Sequence, residues 1–160
     1  MIYADTHVVT WLYAGRPNLI APRARRLIED DPLLVSPMVA RELECLFETG
    51  RTSEPARVVL QALGRDIGLR LCDLPFADVA GAAMRQSWTR DPFDRIIVAQ
   101  AALRRTSLIT KDAVIRAHYD RALWAVEISD YGRRSDTEMR AAGTTRGAED
   151  APGARISSDA

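Results

Sequence analysis

The sequence predicts an α/β fold with a central parallel sheet. Short apolar segments of strand length alternate along the chain with longer segments whose apolar residues recur at helical spacing. Helix-start and helix-stop signals separate them, as where Ser36 and Pro37 begin a helix that Gly50 follows. Because parallel strands need a long crossover connection, usually a helix, this alternation is typical of a parallel sheet.

The individual elements follow from the same signals. Strands are expected at residues 1–4, 33–35, 69–74, 107–110 and 123–128. Helices are expected at residues 7–14, from residue 22, at 37–49, from 53–55 to between 64 and 68, at 75–87, from 92 and from 113. We find no internal repeat among these elements.

Length and composition indicate one globular domain. The chain has 160 residues, of which 47% are apolar and 28% charged, and this is enough for a substantial core. Residues 1–131 carry the structural signals and are assigned to that domain. Residues 132–160 contain almost no large apolar side chain, so we expect a disordered tail there.

Charge and end signals narrow the class of protein. No apolar run reaches the length of a bilayer span, and the first residues lack the pattern of a signal peptide, so we expect a cytoplasmic protein without membrane contact. The formal net charge is zero, so any contact with nucleic acid must be local. Cys45 and Cys72 lie in apolar periodic segments and are expected in the core instead of in a disulfide.

One helix places a carboxylate where it needs a partner. Asp91 stands at the N-cap position, Pro92 at the first helical position and Asp94 in the first turn. Asp94 shares a stripe with Ile97 and Ala101, so its side chain points towards the core. An unpaired buried charge is costly, and Asp94 therefore requires a compensating group.

Three further acidic residues are expected near Asp94. Asp5 follows the first strand, Asp112 follows the fourth, and Glu42 lies on the inward stripe of the helix after the second strand. Ligands of parallel sheets bind beyond the carboxyl ends of the strands. By contrast, Glu44 and Glu48 are expected on a solvated face of the same helix.

Close carboxylates repel one another by about 1 to 4 kcal/mol per pair in water-like to intermediate dielectric. A hard divalent cation such as Mg²⁺ or Mn²⁺ would resolve this conflict, whereas the lack of a paired His or Cys set argues against zinc. Each acid also has a structural alternative. Asp91 and Asp112 are candidate helix caps, Asp5 a polar strand end, and Glu42 the partner of a core Arg.

Several other polar residues are candidates for supporting roles. The hydroxyls of Thr6 and Thr110 either hold a carboxylate or a metal-bound water, or complete a helix cap. His7 either touches substrate or packs locally, and Trp11 is expected in the core. Candidate phosphate contacts are Arg16, Arg23, Arg25, Arg26, Arg90 and Arg95.

Taken together, these segments resemble a known family. The sequence is similar to the PIN domain, and most closely to the VapC-type toxins of bacterial toxin–antitoxin modules. The matching segments come in the family's order: Asp5-Thr6-His7, Ser36-Pro37 leading to Glu42, Asp91-Pro92-Phe93-Asp94-Arg95 with Ala99-Gln100-Ala101, and Leu108-Ile109-Thr110-Lys111-Asp112. They cover about residues 1–128.

The resemblance implies a PIN-like α/β/α sandwich and a Mg²⁺- or Mn²⁺-dependent ribonuclease that hydrolyses phosphodiester bonds with one or two ions. It implies that Asp5, Glu42, Asp94 and Asp112 are the catalytic and metal-binding quartet. Positions just outside the metal ligands, or in contact with substrate, would be Thr6, Asp91, Thr110 and Arg95. The resemblance also implies a homodimer and a cognate VapB-type antitoxin that covers the acidic site.

Two alternatives stay open at the level of sequence. A receiver-type phosphoacceptor signalling domain also combines a parallel sheet with acids and a late Thr and Lys, as Thr110 and Lys111 suggest. It needs a pair of acids after its first strand, however, and Asp5 stands alone there. The other alternative is a PIN-like module that binds a partner without cutting RNA, against which the complete quartet argues.

Overall fold

The computed structural model describes residues 1–124, which alternate between strands and helices. The strands are β1 (Ile2–Ala4), β2 (Leu33–Val35), β3 (Arg70–Leu71), β4 (Leu108–Ile109) and β5 (Ala122–Leu123). The helices are α1 (Thr6–Tyr13), α2 (Pro22–Asp30), α3 (Pro37–Glu48), α4 (Ala56–Ile67), α5 (Phe76–Ala83), α6 (Pro92–Leu103) and α7 (Ala113–His118). The predicted tail at 132–160 lies outside the described residues.

The five strands form one parallel sheet in the order β3-β2-β1-β4-β5, which confirms the predicted fold class. β1 lies at the centre, with Tyr3 opposite Leu34 of β2 on one side and Leu108 of β4 on the other. Every residue of β1 and β2 is buried, as expected for strands whose two faces are both covered. From β1 the chain adds β2 and β3 on one side of the sheet, and it then crosses over to add β4 and β5 on the other side of β1. The direction in which strands are added therefore reverses between β1 and β4.

The middle of α6 lies in the core, and the burial of Ile97 and Ala101 confirms the predicted inward stripe. In α6, the five consecutive residues from Ile97 to Ala101 are buried, and they include the polar Gln100. α6 packs against α5 and also contacts α3, the helix that carries Glu42. No helix of residues 1–124 is long and apolar enough to cross a bilayer.

Several boundaries differ from the sequence prediction. α1 begins at Thr6, because Asp5 caps it, and a 3-10 turn at Pro17–Leu19 was not predicted. α5 ends at Ala83 instead of residue 87, because the next amide groups bond to carbonyls three residues back. The edge strand β3 has two residues instead of six. β5 begins one residue early, and the rest of that predicted strand, from residue 125, lies outside the described residues.

The expectation for Glu44 is wrong. Its side chain is half-buried, and its Oε2 accepts a hydrogen bond of 2.9 Å from the amide of Ala56, the first residue of α4. Pro55 precedes that residue and offers no side-chain cap of its own. Glu44 therefore caps the neighbouring helix, whereas Glu48 remains exposed as predicted.

Candidate active site

Asp5 follows β1 directly, at the point between β1 and β4 where the strand order reverses, and it is hydrogen-bonded to β4. Its amide donates to the carbonyl of Ile109 in β4 at 3.0 Å. Its carboxylate is almost fully buried, and Oδ2 accepts a hydrogen bond of 2.7 Å from the Thr110 hydroxyl. Because ligands of open parallel sheets bind at such a switch point, Asp5 marks the expected position of a site.

Two further hydrogen bonds connect Asp5 to α3 through Thr6. Asp5 Oδ1 accepts from the Thr6 amide at 2.7 Å, which caps α1. The Thr6 hydroxyl then donates to Glu42 Oε2 at 2.5 Å. The Ser36 hydroxyl caps the start of α3 and so fixes the helix that carries Glu42. The start of α1 is thus bonded to both Asp5 and Glu42.

The first turn of α6 adds Asp91 and Asp94. Asp91 is the N-cap, and its Oδ1 accepts from the amides of Phe93 at 2.7 Å and Asp94 at 3.4 Å. This cap fixes Asp94 in the first turn, where its carboxylate is half-buried. Among residues 1–124 no donor forms a hydrogen bond with the Asp94 carboxylate, so it lacks the partner that the sequence analysis required.

Electrostatics show that the carboxylates converge on Asp94. The pKa of Asp94 is raised from its ordinary value of 3.8 to about 7, and burial is the largest cause. Nearby negative charges raise it further, those of Asp91, Asp112, Asp5 and Glu42. The pKa of Glu42 is also raised, mainly by burial, although the hydrogen bond from Thr6 lowers it. The structure therefore brings together all four members of the predicted quartet.

The sequence left open whether Asp112 is a helix cap or a member of the acidic cluster, and in the structure it is both. Its Oδ1 caps α7 by accepting from the amides of Val114 at 2.7 Å and Ile115 at 2.9 Å. Its own amide donates to the Thr110 hydroxyl at 3.0 Å, the same hydroxyl that donates to Asp5. Asp112 is therefore a helix cap that also contributes charge to the acidic cluster.

Comparisons with known proteins identify the family of the chain. The family model for the PIN domain matches residues 2–120. The chain belongs to the PIN-domain family. It is 31% identical over 123 residues to Ribonuclease VapC22 of Mycobacterium tuberculosis (strain ATCC 25618 / H37Rv), a match that covers 73% of this chain and 91% of that protein.

Two solved structures share the fold of this PIN domain. A toxin–antitoxin complex from Klebsiella pneumoniae aligns with a TM-score of 0.56 at 20% identity, and covers 77% of this chain and 96% of that one. VapBC2 from Rickettsia felis, bound to a DNA fragment from their promoter, aligns with a TM-score of 0.55 at 14% identity, and covers 78% and 98%. At these identities the likeness concerns the fold alone.

The ligand atoms that the acidic side chains of the PIN domain offer are of the type that an oxygen-preferring cation binds. They offer only carboxylate oxygens, which is the ligand type of Mg²⁺ and Mn²⁺. As they stand in the described part of the chain, no three His, Cys, Asp or Glu side chains enclose a common point closely enough to hold an ion. Mg²⁺ keeps several of its waters and is usually bound by one or two carboxylates together with substrate phosphates, so it does not require three carboxylates around one point.

Two further candidate residues of the PIN domain are Arg95 and His7. Arg95 donates from Nε to the carbonyl of Thr89 at 2.7 Å, so it holds the loop before α6. His7 is exposed, and its Nδ1 lies 3.9 Å from Asp5 Oδ2. The nearby Asp5 carboxylate raises the pKa of His7, although burial lowers it. Neither residue is part of the buried acidic core of the site.

A groove that was not predicted from the sequence begins at His7. A hollow of about 650 Å³ lies between α1, α3 and α4, and the loop between α3 and α4 closes one side. Trp11, predicted in the core, is only half-buried and lines this groove. Arg51 lines it from the loop, and the only sequence signal was an Arg beside a helix-stopping Gly.

Proposed function

We propose that this PIN domain is a divalent-metal-dependent endoribonuclease that hydrolyses phosphodiester bonds, and that it is the toxin of a toxin–antitoxin pair. The observation that carries the proposal is the convergence of the negative charges of Asp5, Glu42, Asp91 and Asp112 on the half-buried Asp94. Burial, as the largest cause, and these charges together raise the pKa of Asp94 to about 7. A cluster of carboxylates this costly in the free protein favours a bound cation. The relative named Ribonuclease VapC22 and the two structural neighbours supply independent support.

In this proposal each residue has a defined role. Asp5, Glu42, Asp94 and Asp112 would hold Mg²⁺, or Mn²⁺ in its place. When bound, the ion would supply positive charge to the scissile phosphate and acidify water for the attack. Thr110 holds Asp5 at 2.7 Å and the Asp112 amide at 3.0 Å, so a single buried hydroxyl fixes the relative position of both acids.

The remaining residues support the site from outside. Thr6 orients Glu42 by its 2.5 Å hydrogen bond, and Asp91 fixes Asp94 by capping α6. We assign Arg95 to positioning of the loop before α6, because its Nε is bonded to Thr89. None of these side chains is placed as a dedicated general base, which agrees with a reaction in which a cation acidifies the attacking water.

A cleavage assay tests the reaction class. The purified chain, free of any antitoxin, would be incubated with single-stranded RNA, structured RNA and single-stranded DNA, each with Mg²⁺, Mn²⁺ or EDTA. We expect RNA to be cut with either metal and to stay intact in EDTA. Cleavage that persists in EDTA would contradict metal dependence, and cleavage of DNA alone would contradict the substrate class.

Antitoxin binding and self-association belong to the same proposal. We propose that the chain acts in the cytoplasm and that its antitoxin stops RNA cleavage by covering the acidic site, which addition of purified antitoxin to the assay would test. A homodimer is favoured by exposed apolar side chains at the two ends of α5, where Phe76 is 71% exposed and Met84, the residue after the helix, is 75% exposed. We expect sedimentation analysis to show a dimer that Met84→Glu weakens.

Of the two alternative functions, the strand order excludes the receiver domain and leaves the PIN-like binding module. A receiver domain has the flavodoxin-like strand order 2-1-3-4-5, whereas this sheet has the order β3-β2-β1-β4-β5. The receiver interpretation is therefore wrong. A PIN-like binding module without nuclease activity remains the second candidate, favoured by the open arrangement of the carboxylates in residues 1–124. Absence of RNA cleavage under every metal condition would favour it.

A further inference from the structure

The loop of residues 84–91 leads from α5 into the acidic cluster. It ends at Asp91, whose carboxylate caps α6 and fixes Asp94 in the first turn of that helix. Two hydrogen bonds hold the last part of the loop. The Asp91 amide donates to the Thr89 hydroxyl oxygen at 3.1 Å, and Arg95 Nε donates to the Thr89 carbonyl at 2.7 Å. The position of this loop therefore affects both Asp91 and Asp94.

Trp88 in this loop is stacked on His118, the last residue of α7. The two ring centroids are 5.0 Å apart and the ring planes are inclined by 10°, which is the geometry of a stacked aromatic pair. Trp88 is half-buried and also packs against the core. Its Nε1 donates to Gln86 Oε1 at 2.9 Å. The indole ring is therefore held by the loop and the core as well as by His118.

The imidazole of His118 is fixed on its own helix. Its Nδ1 lies 2.8 Å from the carbonyl oxygen of Val114, one turn earlier in α7. A carbonyl oxygen only accepts hydrogen bonds, so Nδ1 carries the proton in this contact. α7 begins directly after Asp112, whose side chain caps the helix. A contact to the His118 ring is therefore a contact to the helix that Asp112 caps.

The stack joins two segments that carry different acids of the quartet. Trp88 lies three residues before Asp91, in the segment that places Asp94. His118 lies six residues after Asp112. The helices of these segments pack mainly on different neighbours, α6 on α5 and α3, and α7 on β5. The stack therefore adds a direct side-chain contact between α7 and the loop before α6.

Asp94 and Asp112 are close enough for their charges to interact. Burial raises the pKa of Asp94 most, and the negative charges of Asp91 and then Asp112 follow. Within residues 1–124 no donor forms a hydrogen bond with the Asp94 carboxylate, so its distance from Asp112 is set by the segments that carry the two acids. Because the two carboxylates repel each other, contacts outside the site are needed to hold them at a spacing suited to one ion.

We propose that the Trp88–His118 stack is a clamp that sets the position of Asp112 relative to Asp94 and thereby the affinity of the acidic cluster for a divalent cation. This inference rests on the proposed metal-dependent function. Trp88 and His118 are positioning residues, since they act through the acids. Without either ring the two acids are less restrained in the metal-free protein, so more conformational entropy is lost when an ion orders them.

The test measures metal binding without RNA. The purified chain, freed of metal, would be titrated with Mn²⁺, and loss of the electron paramagnetic resonance signal of free Mn²⁺ would report binding. Trp88→Leu and His118→Gln each remove one ring, whereas Trp88→Phe and His118→Phe keep an aromatic ring at that position. Ser87→Ala is the control, since Ser87 is an exposed residue of the same loop. Circular dichroism would verify the fold of each variant.

We expect Trp88→Leu and His118→Gln to weaken Mn²⁺ binding by about three- to tenfold, whereas the two Phe variants and Ser87→Ala stay within about twofold of wild type. The double variant Trp88→Leu with His118→Gln should be no weaker than the more affected single variant, because the same contact is lost in each. In an Asp112→Asn background, Trp88→Leu should have little further effect. A general loss of stability would not produce that dependence on Asp112.

Three outcomes would overturn the clamp. The Phe variants could weaken Mn²⁺ binding as much as Trp88→Leu and His118→Gln do, which would show that stacking is not the contact responsible. An undiminished effect of Trp88→Leu in the Asp112→Asn background would show that the stack does not act through Asp112. A higher KM for RNA with unchanged Mn²⁺ affinity would make Trp88 an RNA contact instead. Should Trp88→Leu fail to fold, the variants of the exposed His118 still decide the question.

Failure of the clamp and failure of the proposed function give different results. If Mn²⁺ binding depends on the stack but wild type cuts no RNA with Mg²⁺ or Mn²⁺, the clamp stands and the ribonuclease proposal fails. If wild type cuts RNA with these metals but every stack variant binds Mn²⁺ as wild type does, the clamp fails and the ribonuclease proposal stands. A wild-type chain that binds no Mn²⁺ would also overturn the clamp.

Discussion

The hydroxyl of Thr6 donates to Glu42 Oε2 at 2.5 Å and joins the first turn of α1 to the middle of α3. The amide of the same residue donates to Asp5 Oδ1 at 2.7 Å. Two acids on separate elements are therefore held by one residue that carries no charge. Such outer hydrogen bonds orient metal ligands and are required for tight metal binding.

Thr6→Val should reduce RNA cleavage and metal affinity by about 10- to 100-fold, the range typical of lost outer-sphere partners. The substitution keeps the shape of the side chain and removes the donor to Glu42. Thr6→Ser should restore most activity, because it restores the hydroxyl. Cleavage rates measured against Mg²⁺ concentration would separate a loss of metal affinity from a loss of maximal rate.

The matched control for Thr6→Val is Thr49→Val. Thr49 is exposed at the end of α3, where its hydroxyl donates only to backbone carbonyls of that helix. Thr49→Val should leave both the metal affinity and the maximal cleavage rate unchanged. If Thr6→Val cuts RNA as wild type does, Glu42 does not depend on this hydrogen bond.

Thr110→Val should lower both stability and activity. Thr110 is fully buried, and its hydroxyl bonds both the Asp5 carboxylate and the Asp112 amide. Valine would leave these polar groups without their partner, at a cost of about 1–3 kcal/mol in the free energy of unfolding. Urea unfolding in EDTA would measure the cost, and Thr110→Ser should recover most of it. Unchanged stability would contradict this account of the hydroxyl.

Asp94→Asn should stabilise the metal-free protein above neutral pH. Unfolded Asp94 titrates near its ordinary value of 3.8, whereas the pKa of the folded residue is about 7. Between these values the folded state retains a proton that the unfolded state has lost, so the contribution of Asp94 to the free energy of unfolding falls as pH rises from 3.8 to about 7. Asparagine does not ionise and removes this contribution.

The comparison requires urea unfolding of wild type and Asp94→Asn in EDTA, one pH unit below and one above the folded pKa of about 7. The stability advantage of the variant should be larger at the higher pH. Asp78→Asn is the matched control, since Asp78 also lies in the first turn of a helix but is exposed. An advantage that shrinks with rising pH would contradict the direction of the Asp94 shift.

Divalent metal should raise the melting temperature of the wild-type chain, because an ion bound to the folded state alone stabilises that state. The increase with Mg²⁺ should be larger one pH unit above than one unit below the pKa of about 7, since a proton on Asp94 competes with the ion. For Asp94→Asn, the increase in melting temperature with Mg²⁺ should be smaller than for wild type at both pH values. A shift independent of both pH and Asp94 would place the bound ion elsewhere.

Much of the site could be predicted because its placement signals are local. Asp91-Pro92, Ser36-Pro37 and Asp112 are helix caps whose geometry follows from adjacent residues, and the structure has all three in that role. The convergence of the acids then follows from the rule that parallel strands end at one edge of the sheet. The role of the acids as metal ligands stays a prediction.

The parts that were missed depend on contacts between distant segments. Glu44 caps α4 across 12 positions of sequence, and this partner exists only once α3 and α4 have packed. The groove likewise forms only between three packed helices, so nothing near Arg51 in the sequence shows that it lies beside Trp11. The end of α5 was placed too late because its C-terminal residues have helical propensity but no local stop signal.

The most direct test of the central claim is the rate of single-stranded RNA cleavage by wild type, Asp94→Asn and Asp78→Asn, side by side at saturating Mg²⁺. We predict that wild type and Asp78→Asn cut at the same rate and that Asp94→Asn, although folded, is inactive. Cleavage by Asp94→Asn at the wild-type rate would show that RNA hydrolysis does not take place at the acidic cluster.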